Sequence, residues 1–300
     1  MDRMTYYFIV FACFAFAMGA CIASFLNVCI WRIPRGENIA FPPSHCPNCN
    51  ARIRWYQNIP ILSWTFLRGR CANCHRPISM RYTIVEMMGG IFFLLAYLQW
   101  GMPFFFGGEP MLGLQLSRTL GMVPASWFIL AWLMLLAFID LENSFFPSFL
   151  LYVGMAAGPI LSCLVPELQG EKDRLTALCW SLGGEAIGFV SLWIVRKVGT
   201  SVVRKWKNDP ELEALGDGDP YFLGAVGGFF GPLSVLFTVV ASSFSGALIG
   251  LALLLRGKAK LGGCTAIPFG PYLALGAVLW TFWGPAVVNW YLGFFNVPVS

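Results

Sequence analysis

Charge is scarce in this chain. Of its 300 residues only 12% are Asp, Glu, Lys or Arg, against roughly 25% in an ordinary soluble domain. That shortage excludes a large soluble catalytic domain. The net charge of +5 is too small and too localised to suggest a nucleic-acid partner. Internal repeats and low-complexity tracts are not apparent. What is abundant is apolar surface, with 57% hydrophobic and 16% aromatic residues. A spanning helix needs about 20 mostly apolar residues, so the length allows several spans and one modest polar segment, with the lipid bilayer as solvent.

Apolar runs long enough to cross appear at 5–31, 83–100, 120–140, 147–165, 176–195, 221–236, 238–255 and 271–292. They predict an all-α polytopic membrane protein with about eight transmembrane helices. The pair around 221–255 is the least regular. There Gly231-Pro232 and Ala241-Ser242-Ser243 mark either a tight hairpin or one long kinked segment. Sixteen of the 20 Lys and Arg residues lie in segments 32–81, 196–207 and 256–260, which eight spans place on one face. The positive-inside rule makes that face cytoplasmic and puts both termini outside. The first run is too long for a signal-peptide core of about 7–15 residues and stops at Arg32 and Arg35, as a retained anchor does. The loops at about 101–119 and 166–175 read as connectors.

The long polar stretch, 36–82, carries Cys46-Pro47-Asn48-Cys49 and Cys71-Ala72-Asn73-Cys74, with 21 residues between the pairs. The spacing is that of a zinc ribbon, in which two tight turns each give two thiolates to one tetrahedral metal. Disulfides and a redox pair are the competing readings, and both conflict with a reducing cytoplasmic location. His45 and His75 flank the cysteines, but four sulfurs already complete the shell. Cys13, Cys21, Cys29, Cys163, Cys179 and Cys264 lie singly in or beside apolar runs and read as small hydrophobes.

A carboxylate in or at the edge of a span is expensive, about 2.5–3.5 kcal/mol for Asp at a helix centre. Asp140 closes the run Leu133–Ile139, and Asp219 opens the one beginning Pro220-Tyr221. Two carboxylates brought together in a dry site share a proton, which is aspartic-protease chemistry. Each also has a plainer reading. Asp219 before Pro220 makes a good helix cap, and Asp140 can be a solvated interfacial side chain despite opposing its helix dipole. Glu86, Glu142 and Glu185 are further candidates, Glu185 being intramembrane within Gly183-Gly184-Glu185-Ala186.

Together, residues Ser24 to Pro34, the cysteine pairs, Asn58-Ile59-Pro60, Leu67-Arg68-Gly69-Arg70-Cys71, Arg81–Glu86, Ile139-Asp140 with Pro147, Gly216-Asp217-Gly218-Asp219 and Ile267–Tyr272 closely resemble the bacterial type IV prepilin peptidases. The resemblance covers nearly the whole chain. It implies a multi-pass inner-membrane aspartic endopeptidase that cleaves the basic leader of type IV prepilins or type II secretion pseudopilins after a glycine. Cleavage would occur on the cytoplasmic side, with Asp140 and Asp219 catalytic and Gly216 and Gly218 supporting them in the family's G-x-G-D motif. With zinc on Cys46, Cys49, Cys71 and Cys74 expected from their spacing, the resemblance adds N-methylation of the new N-terminus with S-adenosylmethionine, for which no glycine-rich donor loop is visible. The domains expected are a first transmembrane helix at 1–35, a cysteine insert at 36–82 and a membrane-embedded peptidase domain at 83–300. Two positions depart from the family pattern: Tyr221 stands where a lysine is usual, and Ser148 where an aspartate is usual. The acids Asp209, Glu211, Glu213 and Asp217 read either as a solvated loop or as a contact for a basic leader.

A peptidase without transferase activity is the nearest alternative. A membrane thiol oxidoreductase would need its cysteines on the oxidising face, and a proton-coupled transporter would show repeat symmetry and broken midplane helices.

Overall fold

A computed structural model describes residues 2–106, 112–256 and 268–293. Cys264, Ile267, Lys258 and Lys260, considered above, lie outside the described residues. Among the described residues the secondary structure is helical: α1 Arg3–Arg32, α2 Leu62–Phe66, α3 Arg81–Phe106, α4 Leu112–Asn143, α5 Ser148–Leu164, α6 Arg174–Lys207, α7 Asp219–Phe230, α8 Pro232–Leu255 and α9 Gly270–Gly293. Six of these, α1, α3, α4, α6, α8 and α9, are long and apolar enough to cross a membrane, while α5 is a shorter apolar helix. Only 11% of the most apolar window of α8 is buried inside the chain, and Leu236, Val240 and Phe244 are exposed along it. In water such a face would be a severe liability; in lipid it needs no partner.

The chain divides into two compact units, Met1–Leu135 and Leu136–Ser300. In the first, Asp2 caps α1 by accepting the Thr5 N–H at 2.7 Å. Helices α1 and α3 pack backbone to backbone, because a Cβ on Gly89 would lie 2.4 Å from that of Ala23 and 2.7 Å from the Gly19 carbonyl oxygen. Small residues permit such close approach where lipid offers no hydrophobic drive. At the end of α1 the buried Arg32 turns the chain into the insert by donating to the carbonyls of Asn38, Ile39 and Pro42 at 2.9, 3.1 and 2.7 Å. Farther along, the Trp127 indole donates to the Phe93 carbonyl at 2.9 Å and its ring stacks on that of Phe93, joining α4 to α3.

In the second unit α7 lies against α5 and α6. A Cβ on Gly158 would sit 2.9 Å from the Gly228 backbone. One on Gly184 would strike the Gly227 carbonyl, and one on Gly188 the Leu223 carbonyl. Two apolar segments broken near 237 are expected from hydropathy, but the break falls at Gly231, leaving α7 with 12 residues. The cause is local. Gly231 adopts φ 81°, a left-handed conformation that glycine takes without steric cost, and Pro232 starts the next helix with no N–H to lose. The carbonyls orphaned at the end of α7 are satisfied from neighbouring elements. Gln169 Nε2 donates to Gly228 and Phe229 at 2.9 and 3.2 Å, and Ser181 Oγ to Gly228 at 2.6 Å.

Helix α6 has 34 residues and extends about 51 Å at 1.5 Å per residue, well beyond a hydrocarbon core of about 30 Å. Its last turns carry Arg196, Lys197, Arg204 and Lys205 and lie beside the loop leading to α7.

Candidate functional site

Asp140 lies in the last turn of α4, and Asp219 is the first residue of α7. Their relative exposures are 5% and 4%, so neither is a solvated surface acid. The Gly270 N–H, at the start of α9, donates to Asp140 Oδ2 at 3.1 Å. Helix N-termini offer unpaired donors and a positive dipole end, so α9 compensates the unfavourable end of α4 against which Asp140 stands. The N–H of Gly216 donates to Asp219 Oδ2 at 3.0 Å. Asp219 therefore does not cap its own helix; its side chain folds back onto the loop, and Gly218 occupies the cap position without a side-chain bond. Each carboxylate is thus held through one oxygen by a backbone donor. The charge of Asp140 acts on Asp219, as is expected of carboxylates placed near one another.

Phe146 lies against Gly218 and Gly270, beside the two carboxylates. Its ring stacks on Phe222 of α7, with centroids 5.4 Å apart and planes 21° from parallel. A Cβ on Gly218 would come 2.6 Å from Phe146 Cδ2, and a Cβ on Gly270 would strike the same ring. One aromatic side chain thus rests against the glycine before Asp219 and the glycine that binds Asp140. Sequence reasoning missed Phe146; the Pro147 that follows it was the nearest signal.

The remaining carboxylates are not gathered here. Glu185 Oε2 is buried without a hydrogen-bond partner among the described residues and would lie 3.4 Å from a Cβ on Gly228. Gly228 lies nine positions beyond Asp219 along α7, about 13 Å of helix rise. Glu86 is engaged by the insert, accepting the Ile61 N–H at 2.8 Å. Glu142 is exposed. Of the four loop acids, Glu213 and Asp217 pair with Arg196, and Asp209 accepts the Glu211 N–H at 2.9 Å. Tyr221 packs edge-on against Tyr152 and Phe189, with centroids 5.7 and 4.9 Å away, and Ser148 opens α5.

In the insert, Cys46, Cys49, Cys71 and Cys74 place their sulfurs within 4.8 Å of one another, and those of Cys46 and Cys74 are 3.9 Å apart. Tetrahedral zinc with Zn–S of about 2.3 Å requires sulfurs about 3.8 Å apart, so this cluster fits a four-thiolate metal. The two knuckles are near copies of each other, although no repeat is apparent from the sequence. Cys46 and Cys71 donate their N–H groups to Ala51 and Arg76, Asn50 and His75 donate theirs to Cys46 and Cys71, and Ile53 and Ile78 to Ser44 and Gly69. Asn50 and His75 both take positive φ, 53° and 55°. The two asparagines then cross over. Asn48 reaches Cys74 and Asn73 reaches Cys49, each with Nδ2 3.5 Å from the sulfur. The backbone N–H of Arg76, with the Asn48 amide, draws the Cys74 thiol down to about 6, which favours the thiolate that metals bind. His45 takes no part in the cluster; its Nδ1 lies 3.1 Å from the Pro43 carbonyl.

Comparison with known proteins finds relatives along most of the chain. Residues 17–100 match the bacterial peptidase A24 N-terminal domain, and residues 127–251 the type IV leader peptidase family. The chain is 33% identical to a prepilin leader peptidase/N-methyltransferase of Myxococcus xanthus, the match covering 93% of this chain and 75% of the relative. It is 34% identical to a type 4 prepilin-like proteins leader peptide-processing enzyme of Escherichia coli, over 87% of this chain and 89% of that one. A prepilin leader peptidase/N-methyltransferase of Stutzerimonas stutzeri is 30% identical over 93% of each chain. No solved structure matches.

Proposed function

Because the chain belongs to the type IV leader peptidase family, we propose that it is an aspartic endopeptidase that removes the leader of prepilins or pseudopilins, with Asp140 and Asp219 as its catalytic pair. The supporting observation is the pair of buried carboxylates, each tethered through one oxygen to a backbone N–H. That tether leaves the other oxygen of each side chain for substrate and water. Two such groups in a dry site hold one proton between them. The ionised member takes a proton from water, which attacks the carbonyl carbon of the leader's last glycine, while the protonated member donates to the oxygen of that carbonyl. Collapse of the tetrahedral intermediate breaks the C–N bond, and the amine leaves with a proton returned from the pair.

Cys46, Cys49, Cys71 and Cys74 would hold zinc, which would staple an insert too short to fold on a core of its own. The second activity in the relatives' names, N-methylation, is proposed for the new N-terminus, with S-adenosylmethionine as co-substrate and no residue assigned to it. The basic segments support a location of the insert and the pair on the cytoplasmic face of a bacterial inner membrane. The domains proposed are the anchor 1–35, the insert 36–82 and the peptidase domain 83–300.

The test is mass spectrometry of a prepilin incubated with the protein in lipid, with and without S-adenosylmethionine. Cleavage after glycine that is lost in both Asp140→Asn and Asp219→Asn supports the pair, and a donor-dependent methyl group supports the second activity. Cleavage surviving in either variant overturns the assignment.

A further inference from the structure

We propose that Arg196, Thr200 and Arg204 of α6 form a rail to which the loop before α7 is strapped, and that this strapping positions Asp219. The three residues recur every fourth position, so they share one face of the helix. Each takes hold of a different stretch of loop. Arg204 Nε donates to the Leu212 carbonyl at 3.0 Å, and Thr200 Oγ1 accepts the Ala214 N–H at 3.2 Å. Arg196 Nε donates to the Leu215 carbonyl at 3.3 Å, while its terminal nitrogen bonds both oxygens of Glu213 at 3.2 and 3.1 Å and pairs with Asp217. The loop is thereby fixed at 212, 213, 214, 215 and 217, on both sides of Gly216, whose N–H binds the Asp219 carboxylate.

Three of these contacts are to backbone atoms, so the rail restrains the course of the chain as well as its charge. Surface ion pairs alone contribute little; a planar guanidinium that grips a carbonyl and two carboxylates together has geometric specificity that lysine lacks. The arrangement also changes the reading of Glu213 and Asp217, whose charges are answered within the fold by Arg196. Arg196 brings a positive charge that acts on Asp219, in a chain where position 221 is tyrosine. It acts on the reaction through the loop and is a positioning residue.

The proposal rests on the assignment of Asp219 as catalytic, so its test has two readouts. In full-length protein in lipid, cleavage of a prepilin by Arg196→Met should show kcat lowered about 10–100-fold with KM within about twofold. Arg196→Lys should recover part of the loss. Asp217→Asn should cost less, and the double variant should be no slower than Arg196→Met alone, as expected of residues in one network. A wild-type kcat in Arg196→Met, or independent multiplication of the two losses, would overturn the rail. The second readout needs no activity. In an Asp219→Asn background, a glutamate-specific protease should cut at Glu211 or Glu213 about tenfold faster with Arg196→Met and Thr200→Val added, since loosened loops open locally. Unchanged susceptibility overturns the rail whatever the fate of the catalytic assignment; persistent cleavage by Asp219→Asn with a loosened loop overturns the assignment alone.

Discussion

The carboxylate of Asp140 and the backbone N–H of Gly270 meet at 3.1 Å although 130 residues separate them in the chain. The contact depends on the absence of a side chain at 270, because a Cβ there would lie 2.5 Å from Asp140 Oδ2 and collide with Phe146. Gly270→Ala is expected to displace the carboxylate and lower cleavage about 100-fold, the cost of roughly an ångström of misplacement. The check is kcat measured on a prepilin, with thermal unfolding in detergent to confirm that the variant is folded.

The contact between α6 and α7 is made at glycine. Gly184→Ala and Gly227→Ala each drive a methyl group into the opposing backbone. Such overpacking costs about 1–3 kcal/mol, to be read as a lowered Tm in detergent and a parallel fall in cleavage. Loss of cleavage at unchanged Tm would show instead that these glycines act on the site without bearing on stability.

Glu185 is a contrasting case. It is a carboxylate within a spanning helix, yet it packs near Gly228 at the far end of α7. Glu185→Gln is expected to leave kcat within about twofold, since distant sites act independently. A loss as deep as that of Asp140→Asn would place it in the machinery.

The crossed asparagines make a prediction about metal. Cys49→Ser or Cys74→Ser should abolish bound zinc measured by elemental analysis. Asn48→Ala or Asn73→Ala should weaken zinc retention against a chelator about 10–100-fold, the usual cost of losing a group that hydrogen-bonds a ligand. Retention unchanged in both asparagine variants would show that the amide contacts are incidental.

Some of this was legible in the sequence. The cysteine spacing is local, and two tight turns of four residues carry their own geometry, so the cluster could be anticipated before any tertiary structure. The apolar runs likewise announced their helices. What could not be read is what depends on meetings across the chain. Asp219 beside Pro220 has every local mark of a helix cap, and only the position of Gly216 shows where its oxygen goes. Glu213 and Asp217 look like free acids in sequence, because the arginine that answers them is on the preceding helix. The break at Gly231 was visible as Gly-Pro, but hydropathy averages over a window and placed the boundary several residues late.

The brevity of α7 falls on the helices packed around it. Twelve residues span about 18 Å, while a bilayer offers about 30 Å of hydrocarbon, and the far end is closed by protein donors from Gln169 and Ser181. A helix that falls short of the acyl layer is accommodated by thinning of the membrane or by partner residues that replace the missing length. With Asp219, Pro220 and Phe222 to Phe229 buried among neighbouring residues, α7 follows the second course: protein makes up its missing length, and the site at its start is shaped by those neighbours.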